Sequence, residues 1–262
     1  MNVLRKIVED KLPRLKEKKQ NPEYARKIKE LAEERKETKN FLECCNLQKV
    51  RIIAEIKQAS PSEGEIKKVN PVEVAKIYEQ NGACAISVLT EENYFKGSLE
   101  FLKRVREAVN LPLLRKDFIV DELELWEAKA FGADMVLLIV KILDEVQLRD
   151  FIDTSLGLGL TPLVEIFEVW ELERVLKYYD DLVGVNNRNL ETLEVDLSVS
   201  ERVIPIMKEA GVKCAVAESG ITSAEDIKRL LKVGADAFLV GTSLMKSEDP
   251  GAKLRELISA KI

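Results

Sequence analysis

The chain has 262 residues, with 41 Lys and Arg against 46 Asp and Glu, a net charge of −5 and no histidine. That balance gives no electrostatic reason to expect nucleic acid or an anionic membrane as partner, and the missing histidine removes histidine triads and histidine-ligated metals. No stretch is long and apolar enough to span a bilayer, and Met1 to Asp10 carries acids where a signal peptide would have its apolar centre, so a cytoplasmic protein is expected.

From Val3 to about Arg35 apolar residues recur at helical spacing, as Val3, Ile7, Leu12 and Leu15 and then Tyr24, Ile28 and Leu31. Asn21-Pro22-Glu23 is a helix start, so two helices are expected within an N-terminal extension of residues 1–48. Cys44, Cys45, Cys84 and Cys214 show no C-x-x-C spacing and read as small core residues. Asn46 to Val50 leads into the first of eight short runs rich in Val, Ile and Leu, near 51–57, 84–89, 112–116, 134–139, 161–166, 182–186, 214–218 and 237–241. Such runs suit strands buried on both faces. Helical patterns separate them at 71–81, 99–109, 121–131, 144–157, 168–177, 198–210 and 223–233, and Val240 to Met245 turns the last strand into a further helix. Gly82, Gly132, Gly211 and Gly234 stand where C-terminal caps belong. Eight βα repeats in a chain of this length predict a single (β/α)8 domain spanning 1–262.

Five of the runs end in residues foreign to an apolar strand: Glu55 with Lys57, Lys116, Glu165, Asn186 and Glu218. Burying a lone charge costs several kcal/mol, so five polar strand ends imply one shared site at the C-terminal edge of the barrel. Strand alternation puts Glu55 and Lys57 on one side, either as working groups or as a structural ion pair. Lys116 alone reads as an ordinary strand-end lysine; it gains meaning from Glu165, Asn186 and Glu218, expected at the same level on other strands. Without histidine, proton transfer falls mainly to Glu, Asp, Lys or Tyr. The loop Gln58 to Gly64 is small, polar and suited to closing around a ligand. Ser219 and Gly220 follow the seventh run, and Gly241 and Thr242 the eighth, which is the usual barrel position for a phosphate; the alternative is a pair of simple tight turns.

As an ordered set, Ile53-Ala-Glu-Ile-Lys-Gln-Ala-Ser-Pro-Ser62, Ser87-Val-Leu-Thr-Glu91 with Tyr94-Phe95, Leu114-Arg-Lys-Asp-Phe118, Leu163-Val-Glu165, Gly184-Val-Asn-Asn-Arg-Asn-Leu190, Ala217-Glu-Ser-Gly220 and Leu239-Val-Gly-Thr-Ser243 resemble the indole-3-glycerol phosphate synthase family. The sibling phosphoribosylanthranilate isomerase would want a Cys on the first strand and an Asp on the sixth, where this chain has Glu55 with Lys57, and Asn186. The resemblance implies a TIM barrel with an N-terminal helical extension. It also implies decarboxylating and dehydrating ring closure of 1-(2-carboxyphenylamino)-1-deoxyribulose 5-phosphate to indole-3-glycerol phosphate, in tryptophan biosynthesis. No cofactor or metal is expected, and the protein would be a monomer or weak homo-oligomer.

The family pattern places catalysis on Glu55, Lys57, Lys116, Glu165, Asn186 and Ser219, with Lys116 as general acid. Substrate contacts fall to Ser60, Phe95, Phe118, Arg188, Glu218 and Leu239, and the phosphate to Lys57, Ser219, Gly220, Gly241 and Thr242. Two departures stand beside the site: Lys96, where the pattern often reads Gly, and Phe167-Glu-Val-Trp170 in place of a histidine-containing segment. Rival readings are an isomerase of a related phosphorylated aminosugar, which would release no CO2, and a catalytically silent phosphate-metabolite-binding barrel, which would turn nothing over. With Glu165 and Lys116 as the pair, kcat is expected to rise through a limb at about 4 to 6 and fall through one at about 8 to 10.

Overall fold

The computed structural model describes residues 3–44 and 50–260; Cys45 and the approach from Asn46 to Lys49 lie outside them, as does the side chain of Cys44. Three helices come first, α1 (Val3–Lys19), α2 (Pro22–Glu34) and the short α3 (Phe41–Cys44). The chain then runs through β1 (Arg51–Ile56), a two-residue hairpin of β2 (Ala59–Ser60) and β3 (Gly64–Glu65), α4 (Pro71–Gln80), β4 (Ala85–Leu89), α5 (Leu99–Ala108), β5 (Leu113–Lys116) and α6 (Glu122–Ala130). It continues with β6 (Met135–Ile139), α7 (Glu145–Gly157), β7 (Thr161–Ile166), α8 (Val169–Val175), β8 (Leu182–Asn186), α9 (Ser198–Glu209), β9 (Cys214–Glu218), α10 (Ala224–Leu231), β10 (Ala237–Val240), α11 (Thr242–Lys246) and α12 (Pro250–Ile258).

Eight parallel strands close into a barrel in the order β1-β10-β9-β8-β7-β6-β5-β4, β4 returning to β1. Each observed strand falls within a residue of its expected run, because a strand buried on both faces announces itself as an unbroken apolar segment. The four expected glycine caps all take left-handed backbone, φ 92° to 98°, a conformation costly for any residue with a Cβ. The β2–β3 hairpin, α3, the 3-10 turn Val140–Ile142 and α12 had no periodic signal long enough to announce them.

The extension's two expected helices are present, but α1 presents a different face. Leu4, Ile7, Lys11 and Leu15 are its buried residues, while Leu12, expected inward, is 47% exposed. Leu31 of α2 is likewise outward, and Ile28 and Ala32 face the barrel. At the barrel's other end, the fully buried Asp134 draws the extension in. Its carboxylate accepts from Arg106 Nη1 (2.9 Å), from the backbone N–H groups of Lys39 and Leu113 (2.9 Å each), and from Arg35. Two guanidiniums and two amides offset the desolvation of one buried carboxylate. Cys214 is buried in the core as expected, with its thiol pushed up to about 11 by burial; Cys84 is half-buried.

Candidate active site

The strands' C-terminal ends open into a cavity of about 430 Å³, a volume suited to a small organic ligand. Of the fifteen residues singled out in the sequence, fourteen line it: Glu55, Lys57, Ser60, Phe95, Lys116, Phe118, Glu165, Asn186, Arg188, Ser219, Gly220, Leu239, Gly241 and Thr242. Glu218 sits beneath the wall, 1% exposed, and reaches the site through Lys116 and Glu165. The wall divides by chemistry. Phe95 and Phe118, 6.0 Å apart and tilted by 40°, form an apolar side with Leu4, Ile7 and Leu137. Ser219, Gly220, Gly241 and Thr242 follow β9 and β10, which strand order puts across the barrel from β5.

Between these ends lies a cluster of ammonium and carboxylate groups. Lys116 Nζ stands 2.6 Å from Glu218 Oε2 and 3.4 Å from Glu165 Oε2. Lys57 Nζ is 2.9 Å from Glu55 Oε1. Burial alone would drive the Lys116 ammonium to give up its proton, yet Glu218, Glu165 and Glu55 outweigh it and hold its pKa above the ordinary lysine value. This reverses the lowering expected of a buried lysine. Burial pushes Glu218 up to about 8; Lys116 pulls it down and Glu165 adds to the rise. Burial also opposes ionisation of Glu55, but Lys57 and then Lys116 leave its carboxyl below the usual range. The site therefore holds Lys116 as an ammonium at neutral pH beside a carboxyl, Glu218, that keeps its proton.

The register refines the expectation that Lys116, Glu165, Asn186 and Glu218 share a level. Asn186 stands opposite Glu218, but Glu165 stands opposite Gly184, two residues lower on β8. Long side chains crossing the barrel mouth, and not register, bring Lys116 to both carboxylates. Gly184 makes that approach possible, since a Cβ there would overlap Glu218 Oε1 and press on Leu163 Cδ1 at 3.2 Å. Overpacking of this kind costs about 1–3 kcal/mol. Gly184→Ala should therefore lower the melting temperature by several degrees and kcat at least about tenfold, because Glu218 must swing away from Lys116. Unchanged values of both in calorimetry and a turnover assay would show that the strand accommodates the methyl group.

Backbone strain marks the turn after β9: Ser219 has φ 68°, a left-handed conformation rare outside glycine, followed by Gly220 at 81°. Asn187 braces it, donating from Nδ2 to the Ser219 carbonyl (3.1 Å) while its Oδ1 accepts from Ser200 N–H (3.0 Å). Asn186 Oδ1 accepts from Arg188 N–H (2.9 Å), and Arg188 Nη1 donates to the Leu193 carbonyl (2.8 Å), shaping the loop after β8. The departure at Lys96 has a physical counterpart, φ 56°, where glycine would avoid a cost of roughly 1–2 kcal/mol. Phe167 is buried with Lys141 Nζ 5.8 Å from its ring, and Trp170 is 58% exposed; neither lines the cavity.

Three features had escaped sequence reasoning. Val3, Leu4 and Ile7 of α1 form part of the cavity wall. Glu63 in the hairpin pairs with Lys246 at the end of α11, linking the loop after β1 to the helix after β10. Asp117, directly after Lys116, is buried in an ionic network with Lys11, Arg115 and Thr90. Only the first had a signal, the apolar spacing of α1; the Glu63–Lys246 and Lys11–Asp117 pairs each join residues more than a hundred positions apart.

The family model described as indole-3-glycerol phosphate synthase matches residues 4–257. The chain is 53% identical over 238 residues to the indole-3-glycerol phosphate synthase of Aquifex aeolicus, covering 91% of this chain and 93% of that one. To the protein of the same name from Carboxydothermus hydrogenoformans it is 49% identical over 212 residues, 80% of each chain. To that from Aliarcobacter butzleri it is 45% identical over 245 residues, 93% and 92% of the two chains.

Proposed function

The chain belongs to the indole-3-glycerol phosphate synthase family, a decarboxylating lyase of tryptophan biosynthesis, and on that premise we propose that Lys116 is its general acid and Glu165 its proton acceptor. The observation that carries this reading is Lys116 Nζ lying 2.6 Å and 3.4 Å from two buried carboxyl groups at the cavity wall. Ring closure needs the ketone of the carboxyphenylamino ribulose phosphate made electrophilic. As the ring carbon attacks, Lys116 gives its proton to the carbonyl oxygen, and the C–CO2 bond releases its electron pair to restore the aromatic ring. The new hydroxyl then leaves as water, assisted by a proton from Lys57, while Glu165 removes the adjacent C–H proton to complete the pyrrole ring.

Glu55 holds Lys57, and Asn186 shapes the loop that carries Arg188, which would meet the anthranilate carboxylate. Phe95, Phe118 and Leu239 would bound the aromatic ring, with Ser60 on the closing loop. Ser219, Gly220, Gly241 and Thr242 would hold the phosphate with Lys57, and Glu218, one shell back, would set the charge on Lys116. Residues 1–262 would act as one barrel domain with 1–48 as its extension, cytoplasmic and a monomer or weak homo-oligomer without nucleic acid. In support, the net charge is −5 and, among the described residues, no helix is long and apolar enough to cross a membrane.

The pH dependence of kcat tests the assignment. Since Lys116 is raised above its usual value, its own titration lies above the limb at 8 to 10 expected from sequence. Glu218, pushed up to about 8, ionises first. The new negative charge binds the Lys116 ammonium more tightly and makes it a poorer acid, so kcat should fall as pH rises through about 8. Glu218→Gln should abolish that limb and leave only the higher one. A limb near 8 persisting in Glu218→Gln would assign it to another group.

A further inference from the structure

We propose that Lys11 of the N-terminal helix is a positioning residue for the reaction: by gripping Asp117 and the Phe118 carbonyl, it fixes the turn that aims Lys116 and Phe118 into the cavity. Lys11 stands on the buried face of α1, one turn after Ile7, with a side chain only 10% exposed. Its Nζ lies 2.8 Å from Asp117 Oδ1, donates to the Phe118 carbonyl at 2.7 Å and also contacts Glu124 Oε1. Asp117 is held from its other side by Thr90 Oγ1 (2.6 Å) and Arg115 Nη2 (3.1 Å), and accepts from Phe118 N–H (2.8 Å). Lys116 is thus bracketed in sequence by two members of one buried network. The same helix lends Leu4 and Ile7 to the cavity wall beside Phe118.

A leucine in place of Lys11 would dock the helix without desolvating an ammonium, since buried ion pairs rarely stabilise more than well-packed apolar residues. What the ammonium supplies that leucine does not is direction: one charged donor shared between a carboxylate and a main-chain carbonyl one residue beyond Lys116. It stays charged throughout, because burial weakens the ammonium but Asp117 and Glu124 more than restore it. Displacement of a catalytic group by about 1 Å can cost about a hundredfold in rate, and Lys11 Nζ ties α1 to the backbone of the turn after β5.

This role rests on the reading of Lys116 as general acid, and the experiment separates the two. Steady-state kinetics with the carboxyphenylamino ribulose phosphate are compared for Lys11→Met, Lys18→Met and Lys116→Met. Lys18 ties the same helix to Glu127 at 2.8 Å, away from the cavity lining. Lys11→Met should lower kcat about tenfold and raise KM at least threefold, with inhibition by inorganic phosphate unchanged because the phosphate turns lie across the barrel. Lys18→Met should stay within twofold on both constants. A folded Lys11→Met within twofold of wild type overturns the proposal, as does an equal loss in Lys18→Met, which would make helix docking alone the cause. If Lys11→Met does not fold, Lys11→Gln, which keeps a donor for the Phe118 carbonyl, is held to the same thresholds. Undiminished turnover in Lys116→Met would overturn the assignment of the acid itself, whatever the Lys11 variants do.

Discussion

Replacing Lys116 with methionine should lower kcat at least about a hundredfold while the barrel still folds, the scale expected for loss of a general acid. Methionine keeps the length of the stem. What disappears is the proton aimed at the ketone and the positive charge that would face the oxyanion. Removing one partner of a buried ion pair often costs about 3–5 kcal/mol because the other is left charged. Here Glu218 already takes up its proton near neutral pH, so the stability cost should be smaller than that and the melting transition should remain cooperative. Turnover within threefold of wild type, measured by indole fluorescence with CO2 release, would sink the assignment. Equal loss with a collapsed circular dichroism spectrum would instead point to a structural role.

Glu165→Gln should also cost about a hundredfold or more in kcat, with a different signature. The amide preserves size and can still accept from Lys116, now 3.4 Å away, so ring closure and loss of CO2 retain their acid. What the amide lacks is the capacity to take a proton from carbon during dehydration. A decarboxylated, still hydrated intermediate should therefore accumulate, visible by rapid quench and mass spectrometry within the first turnover. If only unreacted substrate is found, Glu165 acts at or before ring closure and the order proposed above is wrong.

The position and type of every barrel strand were legible along the chain because burial on both faces demands an unbroken apolar run and the helices end at glycine caps. The polar ends at Glu55, Lys116, Glu165, Asn186 and Glu218 were legible for the same reason: a charge closing an apolar strand is a local anomaly, visible without knowing its neighbours. The ordered motifs then narrowed the chemistry to one family. Local periodicity was weaker for α1, where Lys11 takes the inward place assigned to Leu12. A helix face is chosen by what it docks against, and the buried acids Asp117 and Glu124, more than a hundred residues away, reward an ammonium there.

The electrostatics of the site lay wholly in the tertiary structure. Whether burial or neighbouring charge wins at Lys116 depends on three carboxyl groups from β1, β7 and β9 arriving at one point. Sequence led to a limb at about 8 to 10 for Lys116, whereas these carboxyl groups raise it above the ordinary lysine value. The same holds for Gly184, an ordinary strand residue until β9 brings Glu218 against it, and for Glu63 with Lys246. Sequence determined which elements form and which residues end them, because those are set by near neighbours. Distances between strand ends, and with them the charge each group carries, were decided only when the barrel closed, because Coulomb and desolvation energies depend on separation in space.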